Sequence, residues 1–297
     1  MDLHRFGMDT ITLAGPLEAK LRAMRAADFT QVMLSARDVV GHPDGDDAAV
    51  TAVHNSGLRV TGFQVLRDFE GLSGHLHAYK VDVAKSMLQM CHALGSRVLL
   101  ACSSTSTHAE PDIDLVVADL RKLALLAVPL GIRIAYEALS WGRSVNQYQQ
   151  AWQIVERADR SNLGIGIDSF HILATGAKLD DLVDVDAQKI FLVQLADFMW
   201  NEVPSFEDRI NTARHFRVFP GEGVHGTDMI SLVRALDAMG YEGDYSFEVF
   251  NDDYVQLPLV TVAERAWQSV QWLAQQLPQR GVPMRRELRA APSTRLR

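Results

Sequence analysis

Apolar residues along this chain fall into two alternating kinds of segment. Short, dense runs recur at 6–8, 31–34, 60–65, 98–101, 132–137, 164–168, 190–194 and 245–249. Longer segments with apolar residues at helical spacing lie between and after them, at 16–27, 46–56, 75–94, 112–129, 145–158, 227–239 and 258–276, with a short one near 179–183. The short runs, rich in Val, Ile, Leu and Phe, read as strands buried on both faces. Gly57, Gly95, Gly131 and Gly240 each stand just before a short run. Glycine there tolerates the left-handed conformation that closes a helix. Strand and helix, alternating through eight strands, predict an α/β fold of the (β/α)8 TIM-barrel type, a single domain over residues 1–277. An open doubly wound sheet is the alternative, weakened by the lack of a glycine-rich dinucleotide fingerprint after the first run.

Two stretches depart from the alternation. Residues 198–226 are too long for an ordinary connection, and long loops in compact domains are lids, binding loops or disordered segments. Residues 278–297, rich in Arg and Pro and without apolar periodicity, read as a poorly ordered tail.

The chain has 297 residues, of which 47% are hydrophobic, enough for one large core. Its net charge is -8 with no basic face in the body, which argues against nucleic acid as a partner. No run reaches membrane-spanning length, so no membrane partner is expected. Cys91 and Cys102 cannot make a disulfide framework and suit a reducing compartment. The N-terminus lacks a charged stretch followed by a long apolar one. A cytoplasmic protein is expected, and a homo-oligomer is compatible with the sequence.

Four of the short runs end on a residue able to hold a hard cation. IRIAYEAL carries Glu137, LGIGIDSFH carries Asp168, FLVQLAD carries Gln194 and YSFEVFND carries Glu248. A carboxylate or amide at the end of a buried strand is costly unless something pairs with it. On consecutive parallel strands the four converge, and an oxygen-donor set of this kind suits one divalent ion such as Mg, Mn or Co. Taken singly, each could equally cap a helix or pair with an arginine. His171, three residues after Asp168, lies where it could take a proton from a substrate carbon, or act only as a hydrogen-bonded rim histidine. Glu137 is a second proton carrier if a cation does not engage it fully. Arg67, Arg214 and Arg217 are candidates to grip a carboxylate substrate, against the plainer reading of solvated loop arginines. Trp141 could wall the pocket. Gly221 and Gly223 mark a tight turn rather than a phosphate cradle.

The order YEAL, DSFH, VQLAD, FEVFND resembles the xylose-isomerase-like TIM barrels, which include sugar-phosphate isomerases and epimerases. VLRDFEG, YEALSWGRSVNQYQQAW, LGIGIDSFH and ARHFRVFPGEG are more closely similar to bacterial 3-dehydroshikimate dehydratases of quinate and shikimate catabolism. The resemblance spans residues 6–273. It implies a metal-dependent hydro-lyase that turns 3-dehydroshikimate into protocatechuate. Glu137, Asp168, Gln194 and Glu248 would hold the metal, His171 would be catalytic or contact substrate, and Arg67 would meet the substrate carboxylate. Two positions depart from parts of the superfamily: Leu139 stands where many epimerases and some dehydratases have histidine, and Gln194 where epimerases often have histidine. The second favours the dehydratase. Some dehydratases of this type are fused to a dioxygenase-like domain, and this chain is expected to carry the barrel alone. A metal-dependent sugar or polyol isomerase or epimerase is the alternative, and a metal-binding barrel without catalysis the third reading. The acidic charge argues against the abasic-DNA endonucleases of the superfamily.

Overall fold

The structure, a computed structural model, describes residues 2–277; the predicted tail at 278–297 lies outside them. Among the described residues there are ten strands: β1 (Phe6–Asp9), β2 (Gln31–Ser35), β3 (Arg59–Arg67), β4 (Val98–Cys102), β5 (Arg133–Glu137), β6 (Leu163–Asp168), β7 (Ile190–Leu195), β8 (Asp197–Phe198), β9 (Arg217–Val218) and β10 (Tyr245–Phe247). Eight close into a parallel barrel in the order β1-β10-β7-β6-β5-β4-β3-β2, while β8 and β9 form a small antiparallel pair above it. All eight barrel strands overlap the eight predicted runs. The open-sheet alternative is excluded by the β1–β10 and β1–β2 pairings that close the ring.

The helices are α1 (Leu17–Ala26), α2 (Ala36–Val40), α3 (Asp46–Asn55), α4 (Gly74–Ala93), α5 (Ile113–Ala127), α6 (Tyr148–Ala158), α7 (Ser169–Thr175), α8 (Phe206–His215), α9 (Gly226–Ala238) and α10 (Leu259–Gln276). The segment predicted near 179–183 is a 3-10 helix, Asp180–Asp184. Between β6 and that turn lies α7, which the pattern missed. It is short and buried on nearly every side, so it has no polar stripe to give it a helical period. Residues 198–226 hold β8, α8 and β9 rather than an irregular loop. Ser205 caps α8 by accepting from Asp208 N at 3.0 Å, with Glu207 and Asp208 in the first turn and Arg214 and His215 in the last. That charge order suits the helix dipole. No helix among the described residues is long and apolar enough to cross a membrane.

Side chains on each strand alternate between the helix layer and the barrel interior, as strand geometry requires. On β4, Leu99 and Ala101 pack into the large core shared with the helices, while Val98, Leu100 and Cys102 join a separate inner cluster with Met33, Ala135, Phe191 and Leu192. On β5 the outward residues are Ile134 and Tyr136, and Ala135 points inward. Glycines keep β6 thin on its inner side. A Cβ on Gly166 would come within 3.1 Å of Leu100 Cδ1 and 3.5 Å of Glu137 Cβ. The lower interior is thus apolar and filled, as in other barrels of this architecture. At the C-terminal ends of the strands the inward positions change character, and there the chemistry collects.

Candidate metal and catalytic centre

One step past the apolar layer, the same alternation turns Asp9, Gln64, Cys102, Glu137, Asp168, Gln194 and Glu248 toward the barrel mouth. All seven are buried. Register fixes their heights: Cys102 pairs with Glu137 across β4 and β5, and Asp168 with Gln194 across β6 and β7. Glu248 follows the last residue of β10, and its backbone nitrogen donates to Leu195 O at 3.3 Å.

Ligand-capable atoms of Glu137, Asp168 and His171 lie within 4.8 Å of one another. Arg217 joins Asp168 to Glu248, with Nη1 2.7 Å from Asp168 Oδ2 and 2.9 Å from Glu248 Oε2. Its Nε donates to Ala213 O at 3.0 Å, and its guanidinium carbon lies 4.5 Å from the centre of the Phe170 ring. Burial holds the carboxyls of Glu137, Asp168 and Glu248 above their ordinary range. Their mutual repulsion adds to this at Glu137 and Glu248, and Arg217 offsets part of it. Asp9 is raised too, by burial and then by Glu248.

The charge balance tests whether a cation fits. With three carboxylates ionised against one guanidinium, -3 + 1 leaves -2 in a water-poor site. Burying unbalanced charge costs several kcal/mol per ion. Glu137 Oε1 is also buried with no hydrogen-bond partner, as is Gln194 Nε2. Which atom of the Gln194 amide is oxygen rests on the assigned orientation, so the unpartnered atom is also where an oxygen ligand could stand. Three buried carboxyl groups with an unpartnered oxygen among them form a donor set that suits a hard divalent cation, whose charge would favour their ionised forms. The residues present therefore fit one.

His171 sits against this cluster, its Nε2 3.6 Å from Asp168 Oδ2 and its ring 5.1 Å from that of Trp141. Trp141 thus stands edge-on against His171. Ser140 addresses the other ring nitrogen twice: its backbone N–H donates to Nδ1 at 3.2 Å, and its hydroxyl lies 3.1 Å away. When the backbone N–H is accepted, the ring proton sits on Nε2. When Nδ1 carries the proton and donates it to Ser140 Oγ, Nε2 is left bare toward the site. Burial, with Arg217 and Arg67 nearby, holds His171 neutral by pushing its ionisation well below the ordinary value.

The three candidate arginines part company. Arg217 is 2% exposed and inside the acidic cluster, not at its mouth. Arg67 is exposed at the end of β3, near enough for its charge to act on His171, Cys102 and Glu248. Arg214 is exposed on α8. The Gly221 turn is a packing feature, since a Cβ there would lie 2.6 Å from the Trp272 ring. Sequence reading had not placed Asp9, Gln64 or Cys102 at the site. A groove of about 990 Å³ lies between α1 and α3 on the outer wall, and none of the mouth residues line it.

With this geometry in place, the chain's relatives fall into line. The family model for the xylose isomerase-like TIM barrel matches residues 21–276, and the chain belongs to that family. It is 38% identical over 250 residues to a 3-dehydroshikimate dehydratase of Pseudomonas aeruginosa, covering 84% of this chain and 38% of that protein. It is 36% identical over 268 residues to the 3-dehydroshikimate dehydratase of Pseudomonas putida, covering 90% and 41% respectively. A solved fusion of a xylose isomerase-like TIM barrel with a 4-hydroxyphenylpyruvate dioxygenase superposes with a TM-score of 0.85 at 35% identity, over 92% of this chain and 43% of that one. The chain therefore spans less than half the length of these relatives.

Proposed function

We propose that this barrel is a divalent-metal-dependent hydro-lyase that dehydrates 3-dehydroshikimate to protocatechuate. The observation that carries the reading is the buried cluster of Glu137, Asp168 and Glu248 around Arg217, with Glu137 Oε1 left unpartnered beside His171. Its occurrence on a barrel similar to named dehydratases supports it further. Glu137, Asp168, Gln194 and Glu248 would hold the cation, a hard divalent ion such as Mg, Mn or Co. When bound, it supplies Lewis-acid stabilisation of charge developing on the substrate's ketone oxygen.

The chain's own residues do the rest. His171 takes a proton from the carbon beside the ketone at Nε2, which requires the tautomer with Nδ1–H donated to Ser140 Oγ in place of the bond from Ser140 N. The imidazolium so formed lies next to Asp168 and Arg217-paired carboxylates, and returns the proton to the departing hydroxyl, which leaves as water. Transfer of one proton from the ring methylene to the ketone oxygen, which becomes a phenol, then completes aromatisation. Arg67, exposed at the mouth, meets the substrate carboxylate without touching the reacting carbons. Trp141 and Phe170 keep water from the imidazole.

The test is incubation of chelator-treated protein with 3-dehydroshikimate, before and after adding Mn, Mg or Co, while following the absorbance of the aromatic product. Product only after metal is restored is the expected result. Full activity without metal would remove the cation from the scheme. Turnover of a neutral ketose in place of the acid would favour the isomerase, a reading that leaves Arg67 with no carboxylate to bind.

A further inference from the structure

We propose that Cys102 is a positioning residue for Glu137: its thiol ties down one carboxylate oxygen and leaves the other free toward the site. The inference rests on the proposed metal site and adds a residue to it.

The geometry is specific. Cys102 and Glu137 are register partners on adjacent parallel strands, both pointing into the barrel. Cys102 Sγ donates to Glu137 Oε2 at 3.1 Å, while Glu137 Oε1 is buried with no partner. A carboxylate with both oxygens bonded has none to give, and one with neither bonded can turn about its last torsion. Here one oxygen is held and the other is not. The backbone around the pair is locked: Ser103 N donates to Glu137 O at 2.8 Å, and Leu139 N to Ser103 Oγ at 3.0 Å. The sulfur is therefore delivered by a rigid segment.

The residue type fits the job. A thiol packs as a small apolar group, which suits its neighbours Leu100 and Leu139 in the inner cluster. It also carries one weak donor proton and no charge at neutral pH. An acid at this position would add to an already negative cluster, and an aliphatic side chain would leave Glu137 unheld. The sulfur is not among the atoms of Glu137, Asp168 and His171 that converge, so its part is to orient the carboxylate and not to bind a cation.

The experiment is calorimetric titration of Mn²⁺ into metal-free parent protein, Cys102→Ala and Cys102→Ser, with thermal midpoints of the metal-free forms as a check on folding. Loss of an outer partner of this kind typically weakens metal affinity about 10- to 100-fold. Cys102→Ala should fall in that range, and Cys102→Ser, which restores a donor, should recover most of it. Parent-like affinity in a folded Cys102→Ala protein overturns the inference, as does a serine variant no better than alanine. A parent that takes up no Mn²⁺ overturns the metal reading and this inference together. If the alanine variant does not fold, the infrared S–H stretch of the parent decides, isolated by difference against Cys102→Ser. A band lowered by bonding to a carboxylate is expected, and a free-thiol frequency overturns the proposal.

Discussion

The two halves of the barrel mouth are built differently. The half formed by β5, β6, β7 and β10 presents Glu137, Asp168, Gln194 and Glu248, with Arg217 among them. The half formed by β1, β2, β3 and β4 presents Asp9, Gln64 and Cys102. Of these only Asp9 has a carboxyl, whose ionisation burial and then Glu248 push well above the ordinary range. Gln64 donates to Asp9 Oδ2 and also hydrogen-bonds Glu248. Cys102 donates to Glu137. One half thus concentrates charge, and the other supplies neutral donors that fix where that charge points. A metal site needs both, because ligands left to rotate lose affinity that their number alone would predict.

The largest expected effect comes from exchanging a residue of the charged half for its neutral isostere. Asp168→Asn removes one negative charge and one partner of Arg217, and should abolish measurable Mn²⁺ uptake and dehydration without unfolding the barrel. Gln64→Leu, in the supporting half, should cost only about 10- to 100-fold in Mn²⁺ affinity. Equal losses in the two variants, measured by the same titration, would erase the distinction between the halves.

A smaller effect separates chemistry from grip. His171→Ala should lower kcat by about 10²- to 10⁴-fold, as loss of a general base does, with KM less affected. Arg67→Ala would remove the proposed contact with the substrate carboxylate, and a charge-assisted contact of that kind is worth about 1.5–3 kcal/mol. That loss should appear in KM, because the contact is made equally in ground and transition states. Steady-state kinetics decide. A change in KM alone for His171→Ala would make it a binding residue and move the base to a carboxylate.

Most of the charged half was legible in the sequence, and most of the supporting half was not. Glu137, Asp168, Gln194 and Glu248 each interrupt an apolar run near its end, so a polar residue stands out against Val, Ile and Phe. Cys102 lies one residue past its run and reads as a small apolar residue, so nothing marked it. Asp9 was cut off because its strand was ended at Met8. Gln64 sits within a run that continues to Arg67, and β3 changes register against β4 between Phe63 and Leu66, which blurs the alternation. Counting inward positions by two from a shared level would have found Asp9 and Cys102, but not Gln64, where the alternation breaks. The barrel was legible because eight dense runs and their closing glycines repeat. The helix α8 was not, since its surface is mostly polar and its capping serine looked like loop composition.

Glu70 offers the finest test of what sets the two halves apart, since it is a buried acid with neutral partners only. It lies behind the mouth, where Ser104 N donates to its Oε1 at 2.5 Å and Tyr136 OH donates to the same atom at 3.0 Å. Burial pushes its carboxyl up from 4.5 to about 7, against those two hydrogen bonds. The folded state therefore holds a proton between these values that the unfolded chain has already released. Its contribution to stability is fully present below about pH 4.5 and is lost as the pH rises through about 7. At about 1.4 kcal/mol per pH unit of separation, the swing has a ceiling of about 3 kcal/mol. Glu70→Gln keeps an acceptor for Tyr136 but cannot ionise. Activity near neutral pH should change little, while denaturant unfolding should show the parent losing ground to the variant as the pH is raised across that window. A parent–variant difference that stays constant with pH would mean that Glu70 is already ionised in the fold, and that neutral donors alone suffice to hold a buried carboxylate here.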